Sequence, residues 1–425
     1  MSEIKSVFAR EILDSRGTPT LEVEVETVRG VFGRASVPSG ASKGEREAFE
    51  LRDGDKKRFR GKGVLKAVYN VEELIAPEIN GMDICDQWGI DQEMIDLDGT
   101  PEKSRLGANA ILGVSLACAR AAALELGLPL YRYVGGTNAR VLPVPLLNVF
   151  NGGAHSGAPV ACQEFMLRCK KADSFADAIE MASSVIACLR ELLLGKGYSV
   201  TVGDEGGFAP AGFQGGTIAV LELLNNAVEK ASLAPGKEIS IAIDMAASSF
   251  FKEGIYDYSV FEKEGAKLTA DEQIAFIKKL VHGYNVDSVE DALAENEWES
   301  WRTLTAELGS QCQLVGDDLF VTNVELLKKG IAEKCANAVL LKPNQIGTLT
   351  ECCTAAQLAQ RSHFNTIMSH RSGETCDSFI ADLAVALGTG QIKAGSLARS
   401  ERLAKYNQLL RIEDQLGEGA LYGTF

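Results

Sequence analysis

From Tyr198 onward the chain repeats one pattern, a short apolar run that stops on a charged or polar side chain. The runs are YSVTVGDE, ISIAIDMA, VDSVED, CQLVGDD, ANAVLLKP, FNTIMSH and GQIKAG, and they finish on Glu205, Asp244, Glu290, Asp317, Lys342, His370 and Lys393. Amphipathic stretches such as DEQIAFIKKLVHGY separate several of them, so the reading is β then α, repeated, with a parallel sheet. From Glu290 onward the runs are spaced by about one strand, one helix and two loops, which suits a β/α barrel. In such a barrel the C-terminal ends of all strands open on one mouth, and the run-ending residues would meet there.

The first third reads differently. Alternating residues predict strands over Thr20 to Thr27 and Gly30 to Val37, joined as a hairpin, and helical patterns dominate from about Gly63 to Leu128. Within that span GANAILGVSLACARAAALELG carries small residues suited to close packing of a helix on a covering layer. Strands followed by helices predict an α+β unit, and LPVPLLNVFNGG marks the change of character. The chain, 425 residues long, therefore divides into an N-terminal α+β domain over 1–140 and a β/α barrel over 141–425.

Bulk properties narrow the chemistry. A net charge of -15 repels a polyphosphate backbone, and no basic run interleaved with aromatics offsets it, so nucleic acid is not expected as a ligand. A hydrophobic share of 46% and a charged share of 24% match a globular protein, and no apolar run is expected to reach the roughly 18 residues that span a bilayer. The N-terminus lacks the basic-then-apolar pattern of a secretion signal. Ten cysteines at irregular spacing, without a C-x-x-C pair, read as reduced thiols and a cytoplasmic setting. The P-loop, zincin and serine-hydrolase signatures are missing.

Three carboxylates at one barrel mouth, Asp244, Glu290 and Asp317, would repel one another unless a cation intervened. Oxygen ligands without Cys or His favour a hard divalent ion, and Mg²⁺ suits sites that keep positions for water or substrate oxygens. Lys342 and Lys393 also end apolar runs, where burial and neighbouring cations lower an ammonium pKa, so that one serves as base and the other as electrostatic partner. GDEGGFAP sets Asp204 and Glu205 on a glycine-flanked turn, where a carboxyl group could serve as proton donor. SHRSGET groups His370, Arg371 and Ser372 in a manner suited to a phosphate or a carboxylate. Of the histidines, His155 in NGGAHSG shares this glycine-rich or strand-end setting, whereas His282 and His363 read as ordinary helix or loop residues.

Fragments along nearly the whole chain resemble the enolase family: REILDSRGTPT, VPSGAS, LGANAILGVSLA, FNGGAH, QEFM, GDEGGFAP, SVED, LVGDDLFVTN, LLKPNQIGTLTE, SHRSGET, IADLAVA and AKYNQLLRIE. The resemblance implies a capping N-terminal domain over an eight-stranded barrel with an irregular opening, and reversible dehydration of 2-phosphoglycerate to phosphoenolpyruvate. It implies that Asp244, Glu290 and Asp317 bind a first Mg²⁺, and that Ser39 helps bind a second, substrate-dependent one. Lys342 would take the α-proton, Glu205 would assist departure of the hydroxide with Glu164 in support, and Lys393 would offset the developing charge. Arg371 and Ser372 resemble phosphate ligands, His155 and His370 other pocket residues, and Gln163 and Asp318 the surrounding shell. A homodimer or an octamer is also implied. Lys43, Ala292, Ser249 and the stretch 156–162 depart from the commoner pattern. The competing expectations are a relative acting on an unphosphorylated acid and a catalytically silent binding protein.

Overall fold

Alternation in LEVEVE becomes a two-faced strand: Leu21, Val23 and Val25 are buried, while Glu22, Glu24 and Glu26 lie on the outer face. There they meet Arg10 at 2.6 and 2.5 Å and Lys5 at 2.8 Å. The computed structural model describes residues 2–41 and 44–423, with the His155 side chain outside that description, as is Lys43. Strands β1 (Ile4–Leu13), β2 (Pro19–Thr27) and β3 (Phe32–Ser36) form an antiparallel sheet in that order. The expected hairpin is β2–β3, and β1 is an additional strand that the alternation argument did not include.

Helix α2 (Ala108–Glu125) covers the inner face of this sheet, and helix α1 (Gln87–Asp98) packs against α2. Close approach is what the small residues of α2 permit: a Cβ on Gly113 would sit 2.6 Å from Val23 Cγ2. This helix corrects one expectation, since at 18 residues and a mean hydropathy of 1.2 it is long and apolar enough to cross a membrane. With 83% of it buried, it is the core helix of its domain.

The second unit is a closed barrel of β4 (Val144–Asn151), β5 (Glu164–Cys169), β6 (Ile239–Asp244), β7 (Val286–Glu290), β8 (Gln313–Gly316), β9 (Ala338–Leu341), β10 (Asn365–Ser369) and β11 (Gln391–Lys393). Strand β5 runs antiparallel to both neighbours, and every other pairing in the barrel is parallel. Helices α3 (Phe175–Gly195), α4 (Gly216–Lys230), α5 (Ala270–Gly283), α6 (Trp298–Leu308), α7 (Val324–Glu333), α8 (Leu349–Arg361), α9 (Phe379–Leu387) and α10 (Ser400–Leu416) follow in chain order. Helix α5 begins cleanly because Thr269 and Glu272 form a reciprocal capping box at its N-terminus.

Six of the apolar runs are barrel strands, and YSVTVGDE is not. Its residues lie in the α3–α4 connection, where Val202 and Phe208 make only isolated bridges. The glycines at 203, 206 and 207 fold the segment back on itself, Gly203 N–H donating to Gly207 O at 2.8 Å, so no ladder can extend. All ten cysteines are free thiols.

A period of two sorts each strand's inward side chains into layers. Leu146, Met166, Ala242, Val315, Ala338, Leu340 and Ile367 form an apolar cluster of their own inside the barrel, separate from the larger core between sheet and helices. Two residues further on along β6, β8 and β9 stand Asp244, Asp317 and Lys342. The mouth layer is thus the continuation of the core pattern.

Candidate active site

Asp244 and Glu290 close β6 and β7, Asp317 follows β8, and all three are buried. Lys393, the last residue of β11, reaches into them: its Nζ lies 3.0 Å from Asp244 Oδ2, 2.8 Å from Glu290 Oε2 and 3.3 Å from Glu164 Oε1. Glu164 arrives from the opposite direction, as the first residue of antiparallel β5, directly across from Asp244. Lys342, just after β9, donates to Asp317 Oδ2.

The electrostatics follow from crowding. Burial, the charge of Glu205 and the acids beyond it hold Glu164 well above the usual carboxylate range, and burial with Asp244 does the same to Glu290. Burial alone would push both lysines down, as the sequence argument expects. Instead Asp317 holds Lys342 above its ordinary value, and Asp244, Glu164 and Glu290 hold Lys393 well above it. The expectation of a lowered lysine pKa is therefore corrected: each ammonium sits on carboxylates that favour its charged form. Burial opposes the ionisation of Asp317, but Lys342 outweighs it and keeps that carboxyl low.

Neighbours brace these groups. Asp291, one residue past β7 and at φ 41°, accepts the main-chain N–H of Asp317 at 2.9 Å and of Asp318 at 3.0 Å, which fixes the turn that presents both. Gln345 donates to Asp317 Oδ1 at 2.9 Å, and Gln163 to Asp244 Oδ2 at 3.3 Å. Asp318, beside Asp317, is pushed up to about 8 by burial and by that neighbour.

On another side of the recess stand Glu205 and His370, with His370 Nε2 3.8 Å from Glu205 Oε1. Arg402 of α10, wholly buried, donates to His370 Nδ1 at 2.6 Å, so Nε2 is the protonated nitrogen of a neutral ring. Burial, helped by Arg402 and the lysines, holds this imidazole well below its usual value despite Glu205. The same guanidinium also ties down the carbonyls of Arg371 and Ser372, each at 2.7 Å. No sequence motif pointed to Arg402.

The N-terminal domain supplies the rim. Ser39 and Gly373 exchange backbone hydrogen bonds of 2.8 Å, and the Ser39 hydroxyl accepts from Arg52 at 3.0 Å. Ser372 Oγ accepts from Ala41 N at 2.7 Å and from Arg16 at 3.3 Å. Arg371 makes a two-toothed contact with Glu47, 2.9 and 3.0 Å, and donates to Asn344 at 3.1 Å. Arg16 and Glu47 were passed over because their partners lie some 300 residues away in sequence. The backbone of His155 lies in a short 3₁₀ turn, Gly153–His155. One recess is lined by Gln163, Glu164, Glu205, Asp244, Asp317, Lys342, His370, Arg371, Ser372 and Lys393 together.

Two family profiles match this chain: the enolase N-terminal domain over residues 4–134 and the enolase C-terminal TIM barrel domain over 139–424. The chain belongs to the enolase family. Membership fits a lyase of the enolase superfamily and a metal-dependent site, and the donor chemistry agrees. Carboxylates at the mouth outnumber Lys342, Lys393 and Arg371, and two groups bring their ligand atoms within 4.8 Å of one another, the all-oxygen set of Asp291, Asp317 and Asp318 and a second of Glu164, Glu205 and His370. A hard divalent cation is the species the all-oxygen set accommodates.

Two positions that the sequence reading set apart, Ser249 and Ala292, sit around this site, as does Pro343 beside Lys342. Ser249 lines an acidic recess with Glu45, Asp291, Glu295 and Asp318, where an uncharged residue avoids one more carboxylate. Ala292 is buried, and its carbonyl accepts from Gln273 at 3.0 Å. Pro343 opens a short helix, Pro343–Ile346, at a position where no N–H is needed.

Proposed function

We propose that this member of the enolase family interconverts 2-phosphoglycerate and phosphoenolpyruvate, with Mg²⁺ as its metal. The observation that carries the reading is that a lysine beside the acidic cluster, a carboxyl group paired with a neutral histidine, and a guanidinium with its adjacent hydroxyl all line one recess. Asp244, Glu290 and Asp317 would hold the first ion and Ser39 would contribute to the second. Such ions would offset charge gathering on the substrate carboxylate and, by engaging Asp317, would ease Lys342 toward its free amine.

Lys342 as amine takes the proton from C2, and the C–H electron pair passes into the carboxylate group. That pair then forms the C2–C3 double bond as the C3–O bond breaks, and Glu205 gives its proton to the leaving oxygen, which departs as water. Lys393, held as an ammonium by Asp244, Glu164 and Glu290, stabilises the added negative charge. Arg371 and Ser372 bind the phosphate, with His155 and Gln163 completing the pocket and Asp318 its outer wall. The phosphate-binding pair favours this substrate over an unphosphorylated acid. Purified protein with Mg²⁺ should convert 2-phosphoglycerate into a product absorbing in the ultraviolet. A folded, Mg²⁺-loaded protein without turnover overturns the proposal.

A further inference from the structure

The other mouth carboxylates are fixed by strands, whereas Glu205 sits on a turn. That turn is seated through its backbone: Phe208 N–H to Val149 O and Asn151 N–H to Phe208 O, both 2.9 Å, Ser396 N–H to Glu205 O at 2.9 Å, and the guanidinium groups of Arg399 and Arg402 donating to the carbonyls of Gly203 at 2.8 Å and Asp204 at 3.1 Å. They place the backbone but do not orient the side chain. The side chain is gripped by Asn148, a polar residue within the otherwise apolar run VPLLNVF of β4, whose Nδ2 donates to Glu205 Oε2 at 2.9 Å with both groups buried. In this orientation the amide N–H meets a carboxyl oxygen that carries no proton.

The opposite face of that amide explains Gly207. A Cβ on Gly207 would lie 3.1 Å from Asn148 Oδ1 and 2.6 Å from Asn151 Oδ1, so the turn rests directly on the two amides. Asn148 Oδ1 is buried and has no hydrogen-bond partner among the described residues, a cost that a purely structural strand position would avoid with an apolar side chain.

We propose that Asn148 is the positioning residue of the proton donor. A neutral carboxyl group has one oxygen that accepts and one hydroxyl that donates. Holding Oε2 as the acceptor of Asn148 puts the proton on Oε1, the oxygen on the His370 side of the group. The inference rests on the reading of Glu205 as the group that protonates the leaving oxygen. It gives Asn148 a role in the second half of the reaction and none in the first.

The test uses the full-length, Mg²⁺-loaded protein with Asn148→Asp, which is isosteric but lacks the donor, and Asn148→Ala, which deletes the amide. Two rates are measured: dehydration by absorbance, and exchange of the C2 hydrogen of 2-phosphoglycerate with deuterated solvent by NMR. Leaving the buried Glu205 Oε2 without its donor is expected to lower the dehydration kcat about 10- to 100-fold. Exchange at C2, which needs Lys342 but not Glu205, is expected to persist in the same samples, as it should in Glu205→Gln. Persisting exchange also shows that the variants are folded. Dehydration at the wild-type rate in both variants overturns the inference, and so does loss of exchange and dehydration together, which marks a structural role. Wild-type protein that shows neither reaction overturns instead the reading on which the inference rests.

Discussion

The two ends of the barrel are both polar and both buried, yet they solve the problem of burial in opposite ways. At the base, Gln313 and Gln391 exchange hydrogen bonds of 3.1 and 2.8 Å, Gln313 also donates to Ser288 at 2.9 Å, and Asn365 donates to Gln313 at 3.0 Å. Amides carry donor and acceptor in one group, so this network closes on itself. At the mouth, carboxylates only accept, and the cations present are fewer than the acids they face. The apolar layer of Leu146, Met166, Ala242, Val315, Ala338, Leu340 and Ile367 separates the two. A self-satisfied cluster serves stability, and one that needs an outside partner serves chemistry.

If that division holds, substitutions at the two ends should fail in different assays. The largest effect belongs to the mouth: Lys342→Ala should cut turnover by about 10²- to 10⁴-fold, the scale of losing a positioned base, with the melting transition retained. Unfolding of that variant at the assay temperature would undo the contrast. Metal comes next. Mg²⁺ at a hundred times its dissociation constant should stabilise the fold by about 2.7 kcal/mol, read as a higher Tm than in chelator, while turnover disappears in chelator. An unchanged Tm across an Mg²⁺ titration would break the mouth's need for a cation.

At the base, Gln313→Ala should lower stability by about 1–3 kcal/mol through the buried partners it abandons, leaving kcat unaltered. A loss of turnover at full stability would erase the distinction. The smallest effect concerns Asp287, which Arg168 at 2.8 Å and Lys170 at 2.7 Å hold below the ordinary carboxylate range although burial opposes them. A depressed folded pKa contributes stability that is present above the unfolded value of about 3.9 and is lost as pH falls through the folded one. Asp287→Asn should therefore flatten the acid limb of the unfolding curve, checked by denaturant titration between neutral pH and pH 3.

Much of this site was legible because strand geometry is local. In QLVGD, Gln313, Val315 and Asp317 follow each other at the period of two, so one short segment names a base, a middle and a mouth residue. The same holds for Ser240, Ala242 and Asp244. Glu205 was singled out as a candidate from its glycine-flanked setting, although its run was misread as a strand: apolar alternation cannot tell a ladder from a turn that bonds to itself. The reversal of β5 left no local mark either, because EFMLRC looks alike in both directions and its pairing is decided by β4 and β6. Arg402, Glu47 and Arg16 act through partners brought near only by the closed fold.

That reversed strand has one further consequence. A strand running against its neighbours offers its beginning to the mouth, so the chain must already be above the opening before Glu164 enters the wall. Residues 152–163 therefore form a canopy whose two feet are pinned together, Gly152 N–H to Gln163 O at 2.9 Å and Gly153 N–H to Val160 O at 2.7 Å. The canopy is packed onto the barrel and does not hang free of it, since Ala158, Val160, Ala161 and Cys162 are buried in the main core and Ala161 N–H donates to Glu262 at 2.9 Å. One short segment therefore does two jobs, covering the mouth with one side and filling the core with the other, so a change of sequence there reaches access to the site and packing of the wall together.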